Sequence, residues 1–383
     1  MNYISTRGHN CAVTSARAII KGLAEDGGLF VPENIPIIDE KFLTSLLDLS
    51  YQERAKKILS LYLTDFTAEE INQCVDNAYT TEKFDTDKIV PTVEVEKNNY
   101  LLELWHGPTS AFKDMALQLL PQFISTSLKK LGDKDELVIL VATSGDTGKA
   151  ALDGFKNVDQ TKILVFYPQE GVSKIQRLQM LTQQGDNVSV FAVKGNFDDA
   201  QSGVKQIFSD SKYNEYLNEK GFKLSSANSI NWGRLLPQIV YYFSAYADLV
   251  NDKKITMGDK VNFTVPTGNF GDILAGFYAK CMGLPVNRLI CASNSNNVLT
   301  DFLKTGTYDR NREFFKTISP SMDILISSNL ERLLYHITND ATKIKSYMEK
   351  LQSTGCYQVD EVTLKAIQET FSAGYLDDNA TKK

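Results

Sequence analysis

Histidine is scarce in this chain of 383 residues, and cysteine comes without partners. The three histidines are His9, His106 and His336, and the five cysteines are Cys11, Cys74, Cys281, Cys291 and Cys356, with no C-x-x-C pair. An odd number of scattered cysteines indicates neither a disulfide framework nor a zinc site, so the thiols are expected to be reduced and structural. Three isolated histidines do not supply a histidine-rich metal centre. No apolar stretch approaches the roughly 20 residues that a membrane span needs. The opening MNYISTRGHN lacks the basic-then-apolar pattern of a secretory signal. Basic residues are not in excess either: 41 Lys and Arg stand against 47 Asp and Glu, a net charge of −6. A nucleic-acid partner would favour a basic face. These absences lead to the expectation of a cytoplasmic protein with no nucleic-acid partner and no membrane.

What is present is apolar material: 43% of the residues are hydrophobic, enough for two packed domains. Residues 1–95 read as mainly helical. The segments 40–50, 51–63 and 68–79 carry apolar residues at three- and four-residue spacing. Thr67 with Glu70 three residues on reads as a capping box. The pattern then changes. The run 100–105 reads as a strand, and 137–142 (LVILVA) as a strand buried on both faces, as in a parallel sheet. Residues 163–167, 188–193, 261–265 and 289–292 repeat that type. Helical stretches at 115–131, 149–155, 174–183, 200–209 and 272–282 lie between them. Strand, turn, helix, repeated, predicts an α/β fold with a parallel sheet. No flexible linker stands out in residues 96–383, which suits two interleaved α/β lobes.

Three places could carry chemistry. The run from Glu103 to Asp114 (ELWHGPTSAFKD) passes through a Gly-Pro turn to Lys113, at the start of a predicted long helix. A lysine there opposes the positive end of the helix dipole. A buried amine with a depressed pKa would suit Schiff-base chemistry, and a solvated surface lysine accounts for the same residues. The second place is TSGDTGK, Thr143 to Lys149, directly after LVILVA. Small residues leading into a helix put backbone N–H groups where an anion can bind. A P-loop needs G-x-x-x-x-G-K-[ST], whereas Thr143 and Ala150 occupy its first and last positions, which argues against a nucleotide triphosphatase. The third is PTGNFGD, Pro266 to Asp272, again between a strand and a helix. Gly268 and Gly271 let the backbone wrap a phosphate. The run is not G-x-G-x-x-G, so a monophosphate suits it better than a dinucleotide. A plain tight turn remains the alternative for both loops. An amine for an aldehyde and two anion cups together suit pyridoxal 5′-phosphate (PLP) and an amino-acid substrate.

These residues, taken as a set, resemble the threonine synthase family. The resemblance is carried by YISTRG (3–8), KGLAEDGGLFVP (21–32), the 103–114 run, the 143–149 and 268–272 loops, NSINWGR (228–234) and SPSMDILISSN (319–329). The opening segment and the SPSMD stretch set it apart from serine or threonine dehydratases. The resemblance implies the fold type II (tryptophan synthase β-like) architecture of PLP enzymes: two three-layer α/β lobes around parallel sheets, with a mainly helical N-terminal extension. It implies a lyase that converts O-phospho-L-homoserine and water to L-threonine and phosphate, acting as a monomer or homodimer. Lys113 would then carry PLP as a Schiff base and later move protons. Gly268, Asn269, Phe270, Gly271 and Asp272 would hold the cofactor phosphate. Ser144, Gly145, Asp146, Thr147 and Gly148 would face the substrate carboxylate and the cofactor's O3′. Lys149, Lys174, Asn231 and Arg234 are candidates for the substrate phosphate, with Arg234 foremost, and a structural or solvated role fits each of them as well.

One departure accompanies the resemblance. Members of this type continue further and carry a DPHTA-like segment whose threonine bonds the pyridine nitrogen. The present chain ends at DDNATKK (377–383), just after FSAGY (371–375). The expectation is a C-terminally shortened catalytic region with apolar surface uncovered and weaker cofactor affinity. Cys291, Ser293 and Asn294 are possible stand-ins for the missing partner. Two alternatives follow: a threonine-synthase-like protein that binds PLP or a phosphorylated ligand without turnover, or another PLP lyase such as a serine/threonine dehydratase.

Overall fold

A computed structural model describes residues 1–9, 11–143, 145–169, 172–195 and 197–383; at 197, 198, 202, 205 and 209 it describes the backbone alone. The chain folds as two compact units. One comprises Met1, Thr14–Gly22 and Asp48–Ala245; the other comprises Asn2–Val13, Leu23–Leu47 and Tyr246–Lys383.

The first unit is built on a four-stranded parallel sheet with spatial order Val188–Val193, Thr161–Pro168, Glu136–Ala142, Phe222–Ser225. The apolar run LVILVA takes an inner position, with Ile139 and Val141 out of contact with solvent. Its successor in sequence lies on one side and Phe222–Ser225 on the other. The loop leaving its carboxyl end therefore stands at a topological switch point, where open α/β sheets bind ligands. Helices Tyr51–Ser60 and Ala68–Ala78 both begin with capping boxes, Ser50 with Glu53 and Thr67 with Glu70. The second unit holds a three-stranded parallel sheet with the order Phe371–Tyr375, Val286–Ser293, Val261–Pro266. Its helix Gly271–Met282 follows the last of these by a four-residue turn, and most of that helix is buried. The parallel sheets expected from the apolar runs are there.

Three local expectations are corrected. The helix expected over 40–50 spans only Glu40–Thr44. The strand expected over 100–105 spans Asn99–Leu102 and pairs antiparallel with Thr92–Glu96 in a hairpin with largely exposed side chains. The single helix expected over 115–131 is two, Asp114–Leu117 and Leu120–Leu131. Pro121, in the first turn of the second, has no N–H to give to the Leu117 carbonyl. That carbonyl instead lies against Gly154 of helix Asp146–Phe155, where a Cβ would sit 2.0 Å from its oxygen.

Among the described residues no helix is long and apolar enough to cross a membrane, and no cluster of His, Cys, Asp and Glu could hold a metal ion. The Leu117–Gly154 contact fixes the short helix that follows Lys113. Gly154→Ala is expected to destabilise the fold by about 1–3 kcal/mol through overpacking, read as a lowered urea midpoint.

Candidate active site

Lys113 stands at the end of a laced turn. The Asp114 carboxylate takes the Thr109 N–H at 2.8 Å and the Thr109 hydroxyl at 2.7 Å, closing the segment 109–114 on itself. Gly107 is required where it is, because a Cβ there would lie 2.6 Å from the Asp114 Cβ. Ser110 takes a left-handed φ of 56°. Lys113 itself is in αR geometry, just before a four-residue helix. So short a helix carries little macrodipole, and the mismatch expected from a long helix is absent. What sets the amine apart is burial. Its side chain is 11% exposed, and Nζ bonds Asp146 Oδ2 at 2.7 Å. Desolvation pulls the lysine pKa down, Asp146 pulls it up, Arg234 pulls it down again, and the net direction is downward.

Asp146 is the first residue of its helix, after Gly145 at a φ of 146° that only glycine readily adopts. A Cβ on Gly145 would also collide with the Gln176 side chain. Thr143 organises this loop: its Oγ1 accepts the N–H groups of Gly145 and Gly148, each at 2.9 Å. The Thr147 N–H goes to Asp146 Oδ1 at 2.8 Å, and the Lys149 N–H to the Gly145 carbonyl at 3.2 Å. The expectation of free N–H groups here is thereby corrected, since the donors of Gly145, Thr147, Gly148 and Lys149 all have acceptors inside the chain. Ser144 lies outside the described residues.

Arg234 is buried, donates from Nη1 to the Ala227 carbonyl at 2.8 Å, and leaves Nε without a hydrogen-bond partner. Burial brings its pKa down to about 10, against the attraction of Asp146 and Tyr241. Asn231, by contrast, is engaged structurally: Nδ2 donates to the carbonyls of Ile19 and Ser226, and Oδ1 accepts the Gly233 N–H. Lys149 turns to Gln183 and lies 3.8 Å from Asp153, and Lys174 is exposed. The structure thus groups Lys113, Asp146 and Arg234, and leaves Asn231, Lys149 and Lys174 to other contacts.

In the second unit the loop PTGNFGD is arranged the opposite way. Its carbonyls are tied back: Ser327 Oγ donates to Gly268 O at 2.8 Å, and the Asn329 N–H and Nδ2 both reach Asn269 O at 3.1 Å. Among the described residues nothing accepts the N–H groups of Gly268, Asn269, Phe270 and Gly271. Gly268 and Phe270 are buried, and Phe270 takes a φ of 62° at the helix N-terminus. A Cβ on Gly268 would come within 2.9 Å of the Ser321 carbonyl. Consecutive unclaimed donors at the start of a 12-residue helix form an anion cradle. Asp272, the second residue of that helix, is half-buried.

The three possible ring partners have other surroundings. Cys291 is buried in the middle strand, and burial raises its thiol to about 11. Ser293 Oγ lies 3.0 Å from Thr300 Oγ1. Asn294 donates to Asp323 and Thr317 and accepts the Asn296 N–H.

Comparison with known proteins decides the family. A family model described as threonine synthase N terminus matches residues 2–79. Threonine synthase of Pseudomonas aeruginosa is 39% identical over 383 residues, covering all of this chain and 78% of that protein. The chain belongs to the threonine synthase family. A crystal structure of PLP-bound threonine synthase from Brucella melitensis superposes with a TM-score of 0.92 at 41% identity, covering 100% of this chain and 79% of that one. The human protein named threonine synthase-like 1 is 43% identical over 371 residues, 94% of this chain and 49% of that protein. The chain therefore spans about half the length of the threonine synthase-like 1 relatives it matches.

Within this threonine synthase fold, sequence reasoning missed Asp114, Thr143, Gln176, Ser327 and Asn329. Only Thr143 had a readable signal, a hydroxyl residue placed before a Gly-x-x-Gly turn.

Two predictions follow from these contacts. Thr143→Val leaves two buried N–H groups unpaired at roughly 1–3 kcal/mol each, so its urea midpoint should fall while Thr143→Ser stays near the parent. Asp114 is raised to about 6, chiefly by burial, against the bonds from Thr109. With the folded pKa above the unfolded one, the native chain holds the extra proton between about pH 4 and 6. Stability from this group is therefore greatest below that window and is lost as pH rises through it, by an amount on the order of 3 kcal/mol. Asp114→Asn should remove that part of the slope in urea titrations run from pH 4 to 7.

Proposed function

We propose that this chain is a PLP-dependent lyase that converts O-phospho-L-homoserine and water to L-threonine and phosphate. The observation that carries the reading is the buried Lys113 amine, held by Asp146 in a chain of the threonine synthase family. The residues present fit the cofactor in kind: an amine of lowered pKa suits its aldehyde, and the unclaimed N–H groups of Gly268 to Gly271 suit its phosphate. Asp272 sits in the first turn of the same helix.

When bound, PLP supplies an electron sink for charge that develops at the substrate's α-carbon. The rest is the work of the chain. Lys113 would be the residue that holds the cofactor through its aldehyde, and its Nζ, when free, would be the group to move protons at the substrate's Cα and Cβ. Arg234 offers the unpartnered Nε to an anionic group of the substrate, its phosphate or its carboxylate, and stays cationic throughout. Gly145, Thr147 and Gly148 serve by holding Asp146, since their N–H donors are engaged. The reading keeps the chain in the cytoplasm, with a small molecule as its partner.

A second reading has one observation in its favour: identity is higher to threonine synthase-like 1 (43%) than to the P. aeruginosa threonine synthase (39%). On that reading the chain binds PLP or a phosphorylated ligand without turnover.

The deciding experiment incubates the chain with PLP, records the visible absorbance, and then follows phosphate and threonine from O-phosphohomoserine, with free threonine as the control substrate. A protein-bound band that is lost in Lys113→Ala, together with both products, is the expected result. A band without products selects the second reading. No band, and no Lys113 adduct after borohydride, overturns both PLP readings. Arg234→Ala is expected to lower kcat/KM by roughly 10- to 100-fold, the loss of one charge-assisted hydrogen bond, without removing the band.

A further inference from the structure

Asp146 holds more than a loop position. Its Oδ2 meets the Lys113 amine at 2.7 Å, with both side chains about nine-tenths buried (11% and 10% exposed). Its Oδ1 is pinned by the Thr147 N–H at 2.8 Å. The backbone around it is fixed by Gly145 at positive φ and by Thr143, which gathers the N–H groups of Gly145 and Gly148. Among the described residues, the charged groups that act on Lys113 are Asp146 and Arg234; Asp146 and the phenol of Tyr241 act on Arg234. One carboxylate therefore bonds one buried cation and attracts a second. A charge left alone in such a place would be costly.

We propose that Asp146 is the resting counter-ion of Lys113: it keeps the free amine charged and aimed, and takes its proton when an aldehyde claims the nitrogen. The step balances. The ammonium passes one proton to Asp146 Oδ2, which leaves a lone pair on Nζ. That lone pair attacks the aldehyde carbon, and a C=N bond forms as the carbonyl oxygen leaves in water with the two remaining amine hydrogens. The proton on Asp146 then returns to the imine nitrogen, so the positive charge is conserved and the carboxylate is restored as its partner. The inference deepens the reading of Lys113 as the cofactor amine, and it assigns Asp146 to positioning the lysine rather than to binding a substrate carboxylate.

The test needs no cofactor. The intact chain is reductively methylated with formaldehyde and cyanoborohydride from pH 6 to 10, and modification of Lys113 is measured by peptide mass spectrometry, with exposed Lys174 as internal reference. Asp146→Asn removes the carboxylate's pull on the proton. The Lys113 profile should then move to lower pH, with at least about tenfold faster modification at pH 7, the change that a one-unit displacement brings. Asp146→Glu should stay near the parent, and Lys174 should not move. An unchanged Lys113 profile in Asp146→Asn, with the parent circular dichroism, overturns the proposal. If that variant does not fold, Arg234→Gln carries the test. Removing the competing cation should move the profile to higher pH, and an unmoved profile overturns the proposal. A shifted profile in a chain that forms no band with PLP leaves the ion pair standing and removes the cofactor reading instead.

Discussion

A lysine amine taken almost entirely out of water must be compensated where it sits, and much of the first unit's local architecture answers that requirement. The compensation is the Asp146 carboxylate, which must arrive with its backbone already in place. Gly145 supplies the positive φ that lets the helix start directly behind the strand. Thr143 gathers the N–H groups that this start would leave orphaned. On the lysine's side, Asp114 laces the preceding turn, and the Leu117 carbonyl presses into the gap that Gly154 leaves open. Each is a backbone-level constraint, and together they fix both ends of a 2.7 Å bond.

The two strand–turn–helix loops use one design to opposite ends. Each has a threonine immediately after its strand. Thr143 accepts, and so engages the loop's donors internally. Thr267 donates its hydroxyl back to the Val265 carbonyl at 2.6 Å and leaves the following N–H groups alone. Ser327 and Asn329 complete the difference by fixing the carbonyls of Gly268 and Asn269. With its carbonyls held, such a loop presents donors of one sign only, which is what an anion requires. The first loop has its own carboxylate in the corresponding role, and its ligand is a side-chain cation of the same unit.

This contrast shows where the sequence was legible and where it was not. Apolar runs such as LVILVA could be read as buried parallel strands because nothing else accommodates continuous burial over so few residues. The capping box at Thr67 and Glu70 was readable because both partners lie within one turn. The break between Leu117 and Leu120 was not, since apolar spacing continues across it and proline is tolerated in a first helical turn. Asn231 and Arg234 share a motif, and spacing cannot separate them. The amide of Asn231 closes backbone groups of Ser226 and Gly233 nearby and of Ile19, more than two hundred residues away in sequence. The donors of Gly145 and Gly148 looked free because a threonine hydroxyl can accept or donate, and only the surrounding structure decides which.

The pairing of a lysine and an arginine around Asp146 also has a chemical logic. A lysine amine can lose its proton within reach of physiological conditions, and burial moves it further in that direction. A guanidinium does not become neutral there even when buried; Arg234, brought down to about 10, remains a cation. When Lys113 bonds an aldehyde or surrenders a proton, the charge facing Asp146 changes on one side only. Arg234 keeps one cation acting on Asp146 through that change and keeps a donor available for an anion. Two lysines could both discharge and leave Asp146 uncompensated, whereas two arginines would leave no nucleophile. The mixed pair around one rigid carboxylate separates the group that reacts from the group that holds.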